Sequence, residues 1–122
     1  KQVCKMLLES HDGKVPNTRE ELMKLPGVGF KTADVVLSVS YGKPIVAVDT
    51  HVNLISKRLH IAGKNDDLET VREKLHNAVP EDKRKAVNHL FVEFGKDICR
   101  TVKPRCGICP ILRLCPYENK NL

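Results

Sequence analysis

The 122-residue chain has no tryptophan and only five aromatic residues, two Tyr and three Phe. So few aromatics argue against a stacking platform for single-stranded nucleic acid. No apolar run approaches the eighteen or so residues that a membrane helix needs, so no membrane partner is expected. The opening Lys1-Gln2-Val3-Cys4 lacks the apolar stretch of a signal peptide, and secretion has no support. Acidic residues are in deficit, with 15 Asp and Glu against 21 Lys and Arg. The net charge of +6 favours an anionic partner. Internal repeats, low-complexity tracts and flexible linkers are also lacking. What is present is cysteine: five in all, an odd number, with Cys99, Cys106, Cys109 and Cys115 packed near the C-terminus. That is a poor disulfide framework and a good metal framework. The composition therefore describes an intracellular, basic, metal-bearing domain.

Periodicity reads as helical from end to end, so the expected class is all-α. Val3, Met6 and Leu7 share one face of a first helix that ends near Gly13, with Cys4 placed in the core beside Leu7 and Leu8. Thr18 and Glu21 form a capping box ahead of Leu22 and Leu25. Pro26-Gly27-Val28-Gly29 breaks the pattern, and a second helix runs from about Phe30 to Tyr41, bearing Ala33, Val36, Leu37 and Ser40 on one side. Gly42 and Pro44 stop it. Ile45–Val48 is a buried linker, too short for a convincing strand. Asp49 caps a helix with Val52, Ile55 and Leu59, closed by Gly63. Asp66 with Glu69 caps another, bearing Leu68, Val71, Leu75 and Val79 before Pro80. The last long helix carries Val87, Leu90, Phe91, Phe94 and Ile98 and delivers the chain to Cys99. Prolines at 104, 110 and 116 then forbid long regular structure.

The cysteines are spaced C-x6-C-x2-C-x5-C. Four thiolates in so short a segment repel one another unless a cation or cluster neutralises them, and a bound metal can order a segment that has no core of its own. Zinc usually takes two separated C-x2-C arms, whereas one such arm with single partners on both sides suits an iron–sulfur cube. Zinc remains the alternative on spacing alone. Between the first two cysteines lie Arg100, Lys103 and Arg105 with no acid among them, a pattern fit for phosphate if the loop is anchored. A merely solvated charged loop is the plainer reading.

Leu25-Pro26-Gly27-Val28-Gly29 is a tight turn between helices that leaves backbone N–H groups free at the next helix start. An ordinary helical hairpin would look the same. Lys31 lies in the first turn of that helix, where the dipole disfavours an ammonium. A free lysine is neutral in only about one molecule in a few thousand at pH 7. Helix-end placement, neighbouring cations and partial burial would raise that fraction and suit an amine nucleophile, while phosphate contact is the simpler role. Asp49 sits at a helix start in Val48-Asp49-Thr50-His51, where capping alone would explain it. His51 and His89 read as packing residues; His11, His60 and His76 read as surface or helix-end residues.

The run Leu25–Ala33, the Val48-Asp49-Thr50-His51 segment and the cysteine spacing, in that order, resemble the endonuclease III family of helix-hairpin-helix DNA glycosylases with a [4Fe–4S] cluster. The resemblance spans about Leu7 to Tyr117. It implies a base-excision repair N-glycosylase with abasic-site lyase activity, removing oxidised pyrimidines from duplex DNA. Lys31 would attack the sugar C1′ of a flipped nucleotide, and Asp49 would stabilise the cationic sugar and assist proton transfer. Leu25, Gly27, Val28, Gly29, Lys31 and Thr32 would grip the DNA backbone, joined by Arg100, Lys103 and Arg105 of the cluster loop. Cys99, Cys106, Cys109 and Cys115 would hold the cluster. The related adenine-glycosylase branch has a residue other than lysine where Lys31 stands.

By the same resemblance, residues 1–48 form part of a helical barrel with the hairpin at 18–41, and 49–122 form the cluster domain with its loop at 99–115. Family members are longer, so this chain is expected to begin about midway, and the missing portion of the same protein is a candidate partner. Exposed apolar faces left by that half would favour self-association. The expected location is the nucleoid or cytoplasm of a prokaryote, or the nucleus or mitochondrion of a eukaryote. Two other classes stay open: a non-catalytic DNA-binding module, and a zinc-stabilised interaction domain.

Overall fold

Hydrophobic spacing and capping side chains set the helix starts in the computed structural model, which describes residues 1–122 and contains no β-strand. The helices are α1 (Gln2–Ser10), α2 (Arg19–Met23), α3 (Phe30–Val35), α4 (Thr50–Arg58), α5 (Leu68–Ala78) and α6 (Arg84–Asp97). Single 3-10 turns occupy Glu81–Lys83 and Cys106–Ile108. No helix is long and apolar enough to cross a membrane.

Thr18 caps α2 by accepting from the Glu21 backbone N–H at 3.3 Å. Glu21 does not reach back to complete the box; its carboxylate pairs with Lys24 at 2.9 Å instead. The expected single helix from Phe30 to Tyr41 is divided: α3 ends at Val35 and a π-helical turn follows over Val36–Ser40. That turn buries Leu37 and Ser38 and leaves Val39 and Ser40 exposed, so Ser40 does not join the apolar side. α5 is capped by Asp67, which accepts from the Thr70 N–H at 2.8 Å. Asp66, the expected cap, instead accepts from the Gly63 N–H and pairs with Lys74. Cys4 is exposed rather than core, because α1 packs only partly through Val3, Met6 and Leu7.

Two separate apolar cores result. Leu22, Leu25, Ala33 and Leu37 form one, with Ile45 and the α1 residues at its edge. Val46, Val48, Val52, Ala62, Val71, Leu75 and Val87 form the other, flanked by Phe91. Substantial helix packing stays within each set: α2 on α3, and α4 on both α5 and α6. Val46 and Val48 of the linker belong to the second core, while Ile45 packs against the first. His76 Nε2 accepts the Val46 N–H at 2.9 Å, and Asn88 donates to the Ala47 carbonyl at 2.8 Å. These bonds satisfy a buried extended backbone without a partner strand. His76 is thus a half-buried structural residue and not a surface one.

Only a neutral imidazole can accept at Nε2. Burial first, then the guanidinia of Arg72, Arg84 and Arg19, push the His76 pKa down to about 4. The unfolded chain takes up this proton near 6.5, whereas the folded chain refuses it until about pH 4. Stability is therefore intact above pH 6.5 and drains away as the pH falls toward 4. A shift of that size amounts to about 3 kcal/mol in a dry interior, and solvent at the half-exposed ring leaves roughly 1–2 kcal/mol. His76→Gln keeps an acceptor and should flatten the slope between pH 7 and 4.5, measured by urea midpoints.

α4 and α6 cross at Gly95, where a Cβ would lie 2.5 Å from His51 Nδ1 and 3.1 Å from its Cγ. A glycine in the last turn of a helix still gives up as much as about 1 kcal/mol of helix propensity, so its presence reflects this close approach. Gly95→Ala should lose a net of up to about 2 kcal/mol, about 1–3 kcal/mol of overpacking less the propensity gained. The His51→Ala/Gly95→Ala pair should recover most of it in thermal melts. The expected packing role of His51 follows from the same contact. Leu68 on α5 and Leu90 on α6, by contrast, remain exposed.

A hairpin lysine, an aspartate cap and an enclosed set of cysteines

Gly27 has φ +78°, a conformation that glycine adopts without penalty, and the Val28 N–H closes the turn onto the Leu25 carbonyl at 3.2 Å. Leu25 is buried, so its side chain anchors the turn to the core and only its backbone lies near the hairpin surface. Gly29 caps α3 with no side-chain acceptor. The first intrahelical bond is Ala33 N–H to Gly29. Hence the N–H groups of Phe30, Lys31 and Thr32 lack intrahelical partners. Lys31 and Thr32 are exposed there. Lys31 takes part in none of the ion pairs, so the partial burial expected for a tuned amine is not found.

Asp49 is half-buried and caps α4, its Oδ1 accepting from the Val52 N–H at 2.8 Å. Buried Val46–Val48 lead directly into it, which fixes its backbone. The second carboxylate oxygen takes part in no hydrogen bond within the chain and can face a ligand. No ion pair joins Asp49 to Lys31, and each sits at the start of a different helix.

The four clustered cysteines line one partly open pocket, with Ile55, Phe94 and Ile98 among its apolar walls. No three His, Cys, Asp or Glu side chains converge on a single ion. Thiolates sharing one zinc at about 2.3 Å would stand within about 4 Å of each other. In a four-iron cube each thiolate takes its own iron, so the sulfurs stand farther apart around a central space. Four thiol side chains lining one pocket are a donor set that suits a four-iron cluster. Between Cys99 and Cys115 only Pro104 is buried, and the segment contains no α-helix.

Arg58, at the end of α4, escaped the sequence reading. Its Nη1 donates to the Cys99 Sγ at 3.2 Å, the Cys99 carbonyl at 3.2 Å and the Arg100 carbonyl at 2.8 Å. Its Nη2 donates to the Thr101 carbonyl at 3.1 Å, and its guanidinium stacks on Tyr117. One buried side chain therefore holds both ends of the cysteine loop. Burial raises the Cys99 thiol above its usual pKa, with the Arg58 hydrogen bond opposing it. No sequence signal marks Arg58, since its partners lie about forty residues away in the chain.

Arg100, Lys103 and Arg105 are exposed, and Lys103 takes a positive φ of 51°. Asp97, just outside the loop, pairs with Arg105 at 3.4 Å, a weak surface contact that a phosphate could displace.

A helix-hairpin-helix motif model matches residues 10–39. Endonuclease III of Bacillus subtilis (strain 168) is 45% identical over 119 residues, covering 98% of this chain and 54% of that protein. Endonuclease III of Escherichia coli (strain K12) is 45% identical over 120 residues, covering 98% and 56% respectively. A solved structure of a trapped endonuclease III–DNA covalent intermediate superposes with a TM-score of 0.89 at 43% identity, covering 94% of this chain and 54% of that one. The chain spans about half the length of the curated relatives it matches. Its all-helical hairpin fold and these matches make the chain a homologue of the endonuclease III proteins over about half of their length.

Proposed function

We propose that this chain carries the reacting groups of a base-excision repair DNA glycosylase with abasic-site lyase activity, directed at oxidised pyrimidines in duplex DNA. The observation that carries the reading is the exposed Lys31 beside free helix-start N–H groups, in a chain 43% identical to a protein solved as a covalent DNA intermediate. The hairpin around Gly27–Gly29 clasps a backbone phosphate through N–H groups, with Lys31 and Thr32 at its edge. Arg100, Lys103 and Arg105 add phosphate contacts from the cysteine loop, which a [4Fe–4S] cluster on Cys99, Cys106, Cys109 and Cys115 would hold in shape. The cluster supplies four fixed anchor points to that loop. The division at residues 1–48 and 49–122 then separates the strand-gripping hairpin from the cluster-bearing part.

The chemistry follows from the two side chains. Departure of the damaged base leaves positive charge on the sugar, which the Asp49 carboxylate stabilises. The neutral Lys31 amine forms a bond to C1′ as the C1′–base bond breaks, and the base leaves with its electron pair and a proton. Ring opening gives a Schiff base between Lys31 and the sugar. Its electron-sink character acidifies C2′; loss of that proton expels the 3′ phosphate, and water releases the lysine. A flipped nucleotide is required, and damaged bases cost least to extrude.

A second reading has its own support. Lys31 is exposed, and the chain spans about half of its relatives, so it can act as a DNA-binding unit without turnover. Borohydride reduction of the protein with abasic-site duplex separates the two. A covalent adduct supports the enzyme; intact binding without an adduct supports the binding unit.

A further inference from the structure

The two apolar cores meet across a polar clasp that the chemistry above does not use. Asp34 on α3 is only 1% exposed. Arg72 on α5 donates to it twice, Nε to Oδ2 at 2.7 Å and Nη2 to Oδ1 at 3.4 Å. Arg19 on α2 lies 3.1 Å from Asp34 Oδ1 through its Nε. The same Arg19 donates to both Glu69 oxygens on α5, at 2.8 and 2.6 Å. Every side-chain hydrogen bond joining residues 1–45 to residues 46–122 belongs to this group. Two guanidinia meet two carboxylates, so the clasp is neutral overall. Desolvation nevertheless holds the Asp34 carboxyl above its usual pKa. A buried ionic group of this kind adds little stability and is better explained by the geometry it imposes.

That geometry bears on Lys31 and Asp49. Asp34 lies one helical turn after Lys31 on α3. Glu69, Arg72 and His76 follow the i, i+3, i+7 spacing that places them along one side of α5. Arg72 grips α3, and His76, one turn later, grips Val46, three residues before Asp49. One face of α5 thus holds both the helix that presents the amine and the linker that presents the carboxylate. We propose that Arg72 and Asp34 are positioning residues which set the spacing of Lys31 and Asp49 across the junction of the two cores. The proposal rests on the reading of that pair as the reacting groups.

Arg72→Met tests it, since Arg19 still lies against Asp34 and neither core loses a residue. In the full chain the variant should bind abasic duplex within twofold of the original. Its borohydride-trapping rate at saturating DNA should fall about tenfold to a hundredfold, the effect of displacing one reacting group by about an ångström. Amide exchange in residues 30–34 and 42–46 should quicken, while Val71 and Leu75 keep their protection. Arg72→Lys, which restores charge but not two parallel bonds, should recover part of the rate. An unchanged trapping rate, or a loss matched by the unfolded fraction, overturns the proposal. Unchanged exchange at 30–34 and 42–46 overturns it as well. Absence of any adduct from the original chain instead overturns the repair chemistry, and the exchange comparison still decides whether the clasp fixes the junction.

Discussion

Lys31→Ala should abolish borohydride-trapped adduct with abasic-site duplex, by at least roughly a thousandfold, as expected when a nucleophile is removed and no other group can replace it. Binding of the same duplex should change little, because the phosphate clasp relies on backbone N–H groups at Gly29–Thr32. Lys31→Arg should be as inactive as the alanine variant, since a guanidinium does not deprotonate. That comparison distinguishes a nucleophile from a phosphate contact, for which arginine would serve. Asp49→Asn gives the complementary result. The amide oxygen still accepts the Val52 N–H, and Asn caps as well as Asp, so α4 keeps its start. Only the charge is lost, and the trapping rate should fall by roughly a hundredfold to a thousandfold with affinity maintained. Asp49→Ala would confuse these effects by removing the cap as well, at about 1 kcal/mol.

The second large effect concerns the cysteine loop. Pro104 is the only buried residue from Cys99 to Leu122, and Arg58 is the main side chain tying that segment to the helices. A segment so poor in apolar burial does not offset its own chain entropy, so on the proposed reading a bound cluster orders it. Removing that group by oxidation and chelation, or through Cys106→Ser, should open residues 99–122 to protease. The α4, α5 and α6 amides around Val52, Val71 and Leu75 should stay protected, because their core contains no residue of the loop. Three phosphate contacts would go with the loop, lowering the slope of log affinity against log salt by up to about 3. Iron content and brown colour in the protein as isolated are the matching expectation. A colourless protein holding one zinc would show instead that the loop carries a single ion.

The features legible in the sequence were those whose partners lie within four residues. Thr18 and Asp49 as caps, Gly27 as a turn residue, and the apolar spacings of Val52/Ile55 and Val71/Leu75 all act over one helical turn. Asp66 and Asp67 show the limit of that reach. Both are carboxylates able to cap, and the choice of Asp67 depends on Gly63 and Lys74 drawing Asp66 away. The π turn after α3 and the exposure of Cys4 follow from packing that no local pattern encodes. Arg58, His76 and the Asp34–Arg72 clasp escaped for the same reason. Their partners lie 41, 30 and 38 residues away. A charged residue inside a helix with distant partners reads from sequence as one more solvated side chain.

At the level of the site, the cysteine spacing pointed to a shared centre, and all four cysteines line one pocket. Lys31 and Asp49 were legible as helix-start residues, yet the Arg72–Asp34 bond that joins α5 to the helix bearing Lys31 was not. The basic residues of the loop were legible as charges, but the reach of Asp97 to Arg105 was not.

Peptide mapping of the reduced protein–DNA adduct tests the amine assignment most directly. The added deoxyribose remnant should reside on the peptide containing Lys31 and disappear in Lys31→Ala. An adduct mapped to another amine, with Lys31 unmodified, would contradict the account.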